Sequence, residues 1–394
     1  MQIKRQFKKM GLSCLMLSIV WASLPFTGHA EVKQSLSPPV TNAKAVSLMD
    51  VTSGRLLYSN HGDEELPIAS LTKIMTAIVA IEHGNLSDKV KVSANAFAKE
   101  GSSLFLRLGE EMALSDMLYG LMLRSGNDAA TAIAEHVGGS EQGFVYMMNE
   151  KATLIGLEHT KFQNPHGLDA EGHYSTANDL AKLTSYAMHN EVFKQIVSTQ
   201  EKKAANPIDP WDYKWSNKNK MLRLYEGADG VKTGYTKIAK RCLVSSATRN
   251  GQQLVVVTIN DGDDWNDHRN LLDYGFEQYP LASLVHKGQQ IAPDMKVGGD
   301  FSYALASGEV KQIQRKLVLK KNNDSENDTA FGYRGYIEMY LNNEKIGSVP
   351  VYDKDSYIPD YKASSEPTSV NLSDSPSNFG SALRLVIRKL LLIP

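Results

Sequence analysis

The spacing of apolar residues predicts two short strands and then a long helix near the start of the chain. Ala45–Asp50 and Leu56–Ser59 are strand-like runs on either side of turn residues 52–55. From Ser70 to His83 the period changes, and apolar residues recur at Ile74, Ala77, Ile78 and Ile81. That spacing predicts a helix with one buried face.

Helical spacing continues through the middle of the chain and then gives way to strand spacing. Further helices are predicted at Leu114–Met122, Ala129–Val137, Phe144–Leu154 and Ala177–Met188. After Gly230, two β-rich runs (Cys242–Ala247 and Gln253–Ile259) flank Asn250-Gly251, a strong hairpin signal, and a helix follows at Asp267–Gln278. This order predicts an α/β sandwich with an inserted helical subdomain.

The pattern changes again from about residue 286. Strand-like segments at Gln312–Leu319 and Tyr336–Leu341 alternate with the asparagine-rich turns Asn322-Asn323 and Asn342-Asn343. We therefore expect a small all-β domain over residues 286–362. Residues 363–380 are rich in Ser, Pro and Asn and predict a flexible tether.

Residues 381–394 predict an amphipathic helix. Its apolar positions, at helical spacing, are Leu383, Val386, Ile387, Leu390 and Leu391, and its cations are Arg384, Arg388 and Lys389. The segment is too short and too charged to span a bilayer, which needs about 20 apolar residues. We expect it to anchor the protein to a membrane surface. The alternative is a final helix packed on the β-domain.

Residues 1–30 have the pattern of a secretory signal peptide. Four cations precede an apolar run from Met10 to Phe26, and Gly28-His29-Ala30 offers small residues for cleavage. We therefore expect an exported protein whose first domain covers residues 31–285. Cleavage would remove four of the 43 Lys and Arg residues and none of the 44 Asp and Glu residues. The remaining chain is acidic, so nucleic acid is not an expected partner.

Cysteine and acidic residues give no sign of a metal site. Cys242 is the only cysteine after residue 30, and its apolar strand favours a packed core thiol over a nucleophile. No Cys/His cluster has zinc spacing. Asp261-Gly262-Asp263-Asp264 lacks the full calcium-loop pattern and predicts a turn. We expect neither a metal ion nor another cofactor.

Ser70-Leu71-Thr72-Lys73 is a candidate nucleophile and base. The spacing puts Ser70 and Lys73 on one face of a helix. A serine hydroxyl becomes a good nucleophile when a base takes its proton. Lys73 can be that base if burial and a second cation, such as Lys232, lower its pKa enough to leave a neutral amine. The alternative is a serine that caps an amphipathic helix.

Ser125-Gly126-Asn127 falls between two predicted helices. In a loop, Ser125 can relay a proton to a leaving amine and Asn127 can bond a peptide group of the substrate. The alternative is a cap for the following helix.

Lys232-Thr233-Gly234 opens the β-rich region. An edge strand there can pair with a peptide substrate, and Gly234 leaves room for two backbones to approach. Lys232 and Thr233 can bind a carboxylate; the alternative is a simple bend in an edge strand. Each of the three motifs is weak alone, but their order on an exported chain resembles the motif set of the serine acyl-enzymes that act on D-alanyl peptides or β-lactams.

With these motifs the chain resembles the low-molecular-mass penicillin-binding proteins, which are serine-type D-alanyl-D-alanine carboxypeptidases. Three longer stretches share the resemblance: Ile68–Thr76, Gly120–Ala129 and Asn164–Asp169. The resemblance implies a penicillin-binding/β-lactamase-like fold in which Ser70 is acylated and Lys73 is its base.

The resemblance also implies roles for the other motif residues. Ser125 would help proton transfer, and Lys232 would hold the terminal carboxylate. The N–H groups of Ser70 and Tyr235 would form the oxyanion hole. The implied reaction removes the terminal D-Ala of a peptidoglycan pentapeptide and so limits cross-linking. The implied partners are that peptide, β-lactam antibiotics and the outer face of the cytoplasmic membrane.

Two departures from the family pattern suggest a sporulation-associated branch of Gram-positive enzymes. Relatives usually carry glycine where this chain has Ala239-Lys240-Arg241-Cys242, and many have an arginine near Asp264–Arg269. Three other functions stay open: a β-lactamase, although Asn164–Asp169 lacks its deacylating glutamate, a transpeptidase, and a non-hydrolytic cell-wall scaffold. His166 of this loop is either functional or an ordinary hydrogen-bonded loop residue.

Overall fold

The computed structural model describes residues 37–320 and 332–358. The predicted signal peptide, the Asn322-Asn323 turn, the tether and the C-terminal amphipathic helix lie outside the described residues. The strands are β1 (Ala45–Asp50), β2 (Leu56–Asn60), β3 (Lys89–Lys91), β4 (Glu111–Ala113), β5 (Glu201–Ala204), β6 (Tyr213–Ser216), β7 (Ala228–Thr236), β8 (Lys240–Arg249), β9 (Gln252–Ile259), β10 (Leu281–Val285), β11 (Gln290–Ala292), β12 (Met295–Val297), β13 (Phe301–Ala304), β14 (Gln314–Leu319), β15 (Tyr333–Leu341) and β16 (Glu344–Asp353). The α-helices are α1 (Lys73–His83), α2 (Ala94–Phe97), α3 (Leu114–Tyr119), α4 (Asn127–Gly138), α5 (Glu141–Leu154), α6 (Ala177–Met188), α7 (Glu191–Ser198), α8 (Met221–Leu224) and α9 (Asp264–Gln278).

Five antiparallel strands form the central sheet, in the order β2-β1-β9-β8-β7. All eight residues of β9 are buried, because helices cover both faces of the sheet. Helix α9 packs against β8 and β9, whereas α6 packs against β1 and β9 and α7 against β7. This arrangement confirms the predicted α/β sandwich. It also leaves β7 at an edge of the sheet.

The hairpin that joins β8 and β9 is confirmed. Asn250 and Gly251 have φ angles of +50° and +79°, as a type I′ turn requires at both central positions. Arg249 pairs with Gln252 across this turn.

Cys242, in β8, is 1% exposed, which confirms the packed core thiol, and burial raises its pKa to about 12.

Two of the predicted helices have unexpected ends. The helix expected from Ser70 begins with a 3-10 turn, Ala69–Thr72, and becomes α-helical only at Lys73. The helix expected over Leu114–Met122 leaves the α form after Tyr119 and continues as the π-helical turn Gly120–Arg124. Both irregular turns lie next to motif residues, where π-bulges and strained turns are often found.

Helix α7 was missing from the prediction. It is short, so its apolar period spans barely two turns and is hard to distinguish in the sequence. The Asn190 side chain caps its start by accepting bonds from the N–H groups of Val192 and Phe193. Burial of Phe193, Ile196 and Val197 against the central core then stabilises it.

Helix α1 carries the motif lysine into the core of the helical region. Every residue from Lys73 to Ala80 is buried. The helix packs against α4, α5 and α6 and against the π-helical turn. Lys73 is therefore shielded from solvent, and this burial favours the neutral amine over the ammonium form.

The residues after α9 form β-structure with its own small cores. Strands β11, β12, β16, β15 and β14 make one antiparallel sheet in that order, and β10 pairs with β13. The predicted Asn342-Asn343 turn is confirmed, and both residues have positive φ angles.

Across residues 37–320 and 332–358, no helix has the length and apolar character needed to cross a membrane.

Candidate active site

Ser70 lies in the tight turn that precedes α1. Ala69, just before it, has a φ of +48°, which non-glycine residues rarely adopt. The Thr72 hydroxyl donates to the Ala69 carbonyl at 2.9 Å and supports this conformation. Backbone strain of this kind is typical of functional sites. It fixes Ser70 in a half-buried position at the N-terminal side of the lysine helix.

The Lys73 amine lies 3.1 Å from the Ser70 hydroxyl oxygen. Its other partners are the Asn127 side-chain oxygen, at 2.7 Å, and the main-chain carbonyl of His166. Lys73 is fully buried, and this burial, followed by the charges of Lys232 and Lys218, lowers its pKa well below the usual 10.5. A neutral amine next to Ser70 can accept the hydroxyl proton.

Ser125 ends the π-helical turn in a left-handed conformation, with a φ of +67°. Its hydroxyl is buried and has no hydrogen-bond partner among the described residues. The Asn127 side chain, by contrast, bonds Lys73 through oxygen and donates to the Glu100 carbonyl at 2.7 Å. Neither Ser125 nor Asn127 is a side-chain cap for α4, whose N-cap residue is Gly126.

Asp128 holds the loop beside this motif, a role that the sequence did not reveal. Its carboxylate accepts the Ser103 hydroxyl at 2.6 Å and the N–H groups of Leu104 and Leu106 at 3.0 and 3.2 Å. The main-chain N–H of the preceding residue, Asn127, donates to the Ser102 carbonyl at 2.7 Å. These bonds fix residues 100–106 against the start of α4. Only the tertiary fold brings the two segments together.

The K-T-G motif lies in edge strand β7, as predicted. A Cβ atom at Gly234 would lie 3.2 Å from the Ser70 nitrogen and 3.3 Å from the Ala69 Cβ atom. Glycine therefore lets β7 approach the turn that carries Ser70. Strand β7 also contacts the π-helical turn that ends at Ser125, so the three motifs meet at one cleft. Tyr235, the next residue, is 63% exposed.

Lys232 is a residue of this edge strand, and its side chain is buried. Its amine donates to the Thr233 carbonyl at 2.7 Å. Burial, and after it the charge of Lys218, lower the pKa of Lys232 to about 7. The charge of Lys232 is the second cause, after burial, of the lowered pKa of Lys73, for which the sequence analysis suggested Lys232 as a second cation. Removing the charge of Lys232 would therefore raise the pKa of Lys73.

Lys218 is a further cation of the cleft that the sequence analysis missed. It follows β6 and donates to the Ser102 hydroxyl at 3.3 Å. Burial and the charge of Arg124 lower its own pKa. No sequence motif identifies Lys218, because its position depends on distant contacts. The preceding residue, Asn217, holds the loop in place by donating from its side-chain amide to the carbonyls of Val197 and Thr199.

The loop over residues 164–169 closes the cleft behind Lys73. His166 offers its main-chain carbonyl to Lys73, while its imidazole lies 3.5 Å from the Glu141 carboxylate. Burial lowers the pKa of His166 and favours the neutral ring. A Cβ atom at Gly167, where φ is +83°, would lie 2.0 Å from the Ala69 carbonyl oxygen. The glycine thus allows the loop to pack directly on the Ser70 turn.

Arg241 lies beside the edge strand, within the unusual Ala239–Cys242 segment. It pairs with Tyr235 in the β7–β8 register. Its guanidinium forms an ion pair with Asp264 at the start of α9. This ion pair joins the two segments at which the sequence departs from the family pattern.

The arrangement supplies a nucleophile, a base, a second hydroxyl and several cations, which suit acyl transfer from a carboxylate-bearing peptide. Within residues 37–320 and 332–358, no group of three or more His, Cys, Asp or Glu side chains can hold a metal ion.

Comparison with protein families and known proteins gives a consistent result. Residues 32–263 match the family model described as D-alanyl-D-alanine carboxypeptidase. The chain is 34% identical to D-alanyl-D-alanine carboxypeptidase DacF of Bacillus subtilis, over 87% of this chain and 93% of DacF. It is 31% identical to DacC of Escherichia coli, another D-alanyl-D-alanine carboxypeptidase, over 81% and 85% of the two chains.

Solved structures with the same fold include penicillin binding protein 5 from Haemophilus influenzae. That structure has a TM-score of 0.67 and 26% identity, and the match covers 82% of this chain and 99% of the other. The S216A mutant of the Streptomyces K15 DD-transpeptidase has a TM-score of 0.58 and 33% identity, and the match covers 61% and 99%. These likenesses confirm the penicillin-binding type of α/β fold expected from the sequence.

Proposed function

This chain belongs to the D-alanyl-D-alanine carboxypeptidase family, and within that family we propose that it hydrolyses peptidoglycan pentapeptides through an acyl-enzyme on Ser70. It is a serine-type carboxypeptidase. The observation that carries the proposal is the contact between the fully buried Lys73 amine and the Ser70 hydroxyl, 3.1 Å away. Burial lowers the pKa of that amine well below its usual 10.5, which favours the neutral form that can act as the base.

In the acylation step, Lys73 takes the Ser70 proton while the serine oxygen attacks the carbonyl carbon of the penultimate D-Ala. The negative oxygen that forms is held by the N–H groups of Ser70 and Tyr235. The C–N bond then breaks, and the proton passes from Lys73 through Ser125 to the leaving D-Ala amine. A water molecule, deprotonated by Lys73, next attacks the ester carbon. The bond between this carbon and the Ser70 oxygen breaks, and Lys73 returns the proton to the Ser70 oxygen.

Recognition of the terminal carboxylate is assigned to the cationic side of the cleft. Lys232 and Thr233 are the proposed contacts, and Lys218 adds to the positive potential there. Asn127 is proposed to contact a substrate peptide group with the second hydrogen of its amide, because its first partners are Lys73 and Glu100. β-Lactams, which carry a comparable acyl group and carboxylate, are proposed to acylate the same serine.

The assay that tests this function is release of D-Ala from diacetyl-L-Lys-D-Ala-D-Ala, with and without an added amine acceptor. Steady release in buffer is expected for a carboxypeptidase. A new peptide product in the presence of the amine would reveal transpeptidation. Labelling by penicillin without any D-Ala release would instead indicate a non-hydrolytic scaffold and contradict the proposal.

We also propose that the protein is exported and held at the outer face of the cytoplasmic membrane. The sequence patterns of residues 1–30 and 381–394 support this location. Deletion of residues 381–394 should release an active enzyme into the soluble fraction. If the truncated protein still sediments with membranes, the anchor assignment is wrong.

The proposed organisation is completed by a transpeptidase-like serine D-Ala-D-Ala carboxypeptidase domain over residues 31–285, an all-β domain over 286–362 and a flexible tether over 363–380. The Ala239–Cys242 segment supports a sporulation-associated role. Expression of the protein confined to vegetative growth would contradict that role.

A further inference from the structure

The peptide group between Ala69 and Ser70 has a different neighbour at each end. Its carbonyl oxygen meets the 164–169 loop, where a Cβ atom at Gly167 would lie 2.0 Å away. Its nitrogen meets β7, where a Cβ atom at Gly234 would lie 3.2 Å away. A planar trans peptide group points its C=O and its N–H in opposite directions. Contacts that hold the Ala69 carbonyl therefore also set the direction of the Ser70 N–H.

The Thr72 side chain holds that carbonyl. Its hydroxyl donates to the Ala69 carbonyl at 2.9 Å, and Thr72 is fully buried. The bond restrains a turn in which Ala69 has a φ of +48°, a value that a residue with a Cβ atom rarely adopts. A hydroxyl has a single hydrogen, so Thr72 can only accept from any further partner.

That further partner is His173. Its Nε2 atom lies 2.8 Å from the Thr72 hydroxyl oxygen, and its Nδ1 atom accepts the main-chain N–H of Gln163 at 3.0 Å. A neutral imidazole carries one N–H, so acceptance at Nδ1 places the hydrogen on Nε2, facing Thr72. His173 is 7% exposed, and burial lowers its pKa to about 4, which favours the neutral ring near neutral pH.

The hydrogen bonds thus run in one direction, from His173 through Thr72 to the Ala69 carbonyl. The last acceptor belongs to the same peptide group as the N–H of Ser70, which the acylation step assigns to the oxyanion. Hydrogen bonds in such a chain polarise one another, so the bond at the carbonyl makes the N–H a better donor. Neither side chain has a part in the proton transfers of the proposed mechanism.

We propose that Thr72 and His173 are positioning residues for the oxyanion hole, because they fix and polarise the peptide group that ends in the Ser70 N–H. The inference rests on the proposed function, since that function assigns this N–H to the oxyanion. Negative charge develops on the substrate oxygen only as the acyl bond forms. The two side chains should therefore affect the acylation step and not the initial binding.

The test is stopped-flow acylation of the full-length protein by a fluorescent penicillin, which separates the acylation rate constant from the dissociation constant of the initial complex. Thr72→Val has nearly the same shape but no hydroxyl. We expect it to lower the acylation rate constant by about 10- to 100-fold and to change the dissociation constant by less than about 3-fold. The rate constant describes only the molecules that become labelled, so it does not depend on the fraction that is folded.

Two variants of His173 separate catalysis from structure. His173→Gln places an amide N–H near the position of Nε2, and should keep the rate constant within about 3-fold of wild type. His173→Asn places an amide oxygen near the position of Nδ1, which keeps the bond to Gln163 but loses the donor to Thr72. It should slow acylation about as much as Thr72→Val. Combining His173→Asn with Thr72→Val should add little, because both act through one carbonyl.

Thr258 and His268 provide a matched control. Both are fully buried, and the Thr258 hydroxyl lies 3.0 Å from Nε2 of His268 between β9 and α9. Thr258→Val should lower the melting temperature and leave the acylation rate constant unchanged. An equal loss of acylation in this control would show that the rate follows general stability, and would overturn the positioning role.

A wild-type rate constant in Thr72→Val would overturn the inference and leave the acyl-enzyme assignment intact. If Thr72→Val does not fold, the His173 pair decides, and equal rate constants in His173→Gln and His173→Asn would overturn the inference. A wild-type protein that is not acylated on Ser70 would overturn the proposed function and this inference with it.

Discussion

Lys73 and Lys232 are two fully buried lysines close enough for the charge of one to affect the other. Burial is the main cause of the lowered pKa of Lys73, and the charge of Lys232 is the next. The pKa of Lys232 is itself lowered to about 7, so this lysine is charged in acidic solution, where Lys73 would otherwise be protonated. The pair therefore extends the pH range over which Lys73 can act as a base.

Lys232→Gln should move the acidic limb of the pH–rate profile to higher pH. Without the second cation the pKa of Lys73 rises, and protonation of the base begins at a higher pH as the solution is acidified. The measurement is kcat/KM against pH with a C-terminally amidated peptide, which removes the effect of carboxylate binding. An acidic limb at the wild-type pH would contradict the coupling.

The same variant tests carboxylate recognition. Lys232→Gln should reduce kcat/KM much more for a carboxylate-bearing peptide than for its amide, when each is measured at its best pH. Equal losses on the two peptides would mean that Lys232 acts only through Lys73.

Lys73→Arg should slow acylation by roughly 10²-fold or more, the scale of a lost general base. Arginine stays protonated near neutral pH, so it cannot accept the serine proton. Stopped-flow acylation by a fluorescent penicillin measures the effect, and circular dichroism checks the fold. Near-normal acylation would show that another group, such as Ser125, is the base.

Gly234→Ala should reduce acylation by about 10- to 100-fold. The added methyl group must push β7 away from the Ser70 nitrogen, and small displacements of reacting groups have effects of this size. Gly262→Ala is the matched control, since a Cβ atom there meets nothing within 4 Å and its φ is not positive. Equal rates in the two variants would show that the close approach at Gly234 is not needed.

Arg55, in the turn between β1 and β2, joins the central sheet to the C-terminal part of the structure. Its guanidinium makes two bonds to Glu309, at 2.7 and 2.8 Å, and one to the Ala304 carbonyl at 2.7 Å. It also lies 5.4 and 5.5 Å from the ring centres of Tyr279 and Tyr303. The hydrogen bond to Arg55 is the main cause of the lowered pKa of Glu309.

Glu309→Gln should lower the free energy of unfolding by about 1–2 kcal/mol at neutral pH, measured by urea denaturation. Because the folded-state pKa of Glu309 is lowered, its contribution is present above the usual value of 4.5 and is lost as the pH falls through the folded-state value. The difference from wild type should therefore shrink in acid. Glu191→Gln, which removes a highly exposed ion pair with Lys194, should have little effect at any pH.

The sequence was most informative where structure is determined locally. The Asn250-Gly251 turn and the apolar runs of β8 and β9 fix the central hairpin, because both signals lie within a few residues of each other. Ser70, Lys73 and Lys232 could be selected as candidates because their motifs are short and contiguous. Their mutual distances, however, depend on the packing of β7 against the turn before α1.

Other features could not be read from the chain because they depend on distant contacts. Asp128 directly follows a motif and Lys218 belongs to none, but the partners that define their roles, Ser103 and Ser102, lie far away in the sequence. The 3-10 start of the Ser70 helix reflects the left-handed Ala69, against which Gly167 packs from another loop. Propensity alone predicts an ordinary helix there.

The most direct test of the proposed mechanism is intact-mass spectrometry of the enzyme after incubation with benzylpenicillin, followed by peptide mapping. The mechanism predicts one penicilloyl group per chain, located on Ser70, and no adduct on a folded Ser70→Ala variant. An adduct on any other residue of the wild type, or a labelled Ser70→Ala protein, would contradict the assignment of Ser70 as the nucleophile.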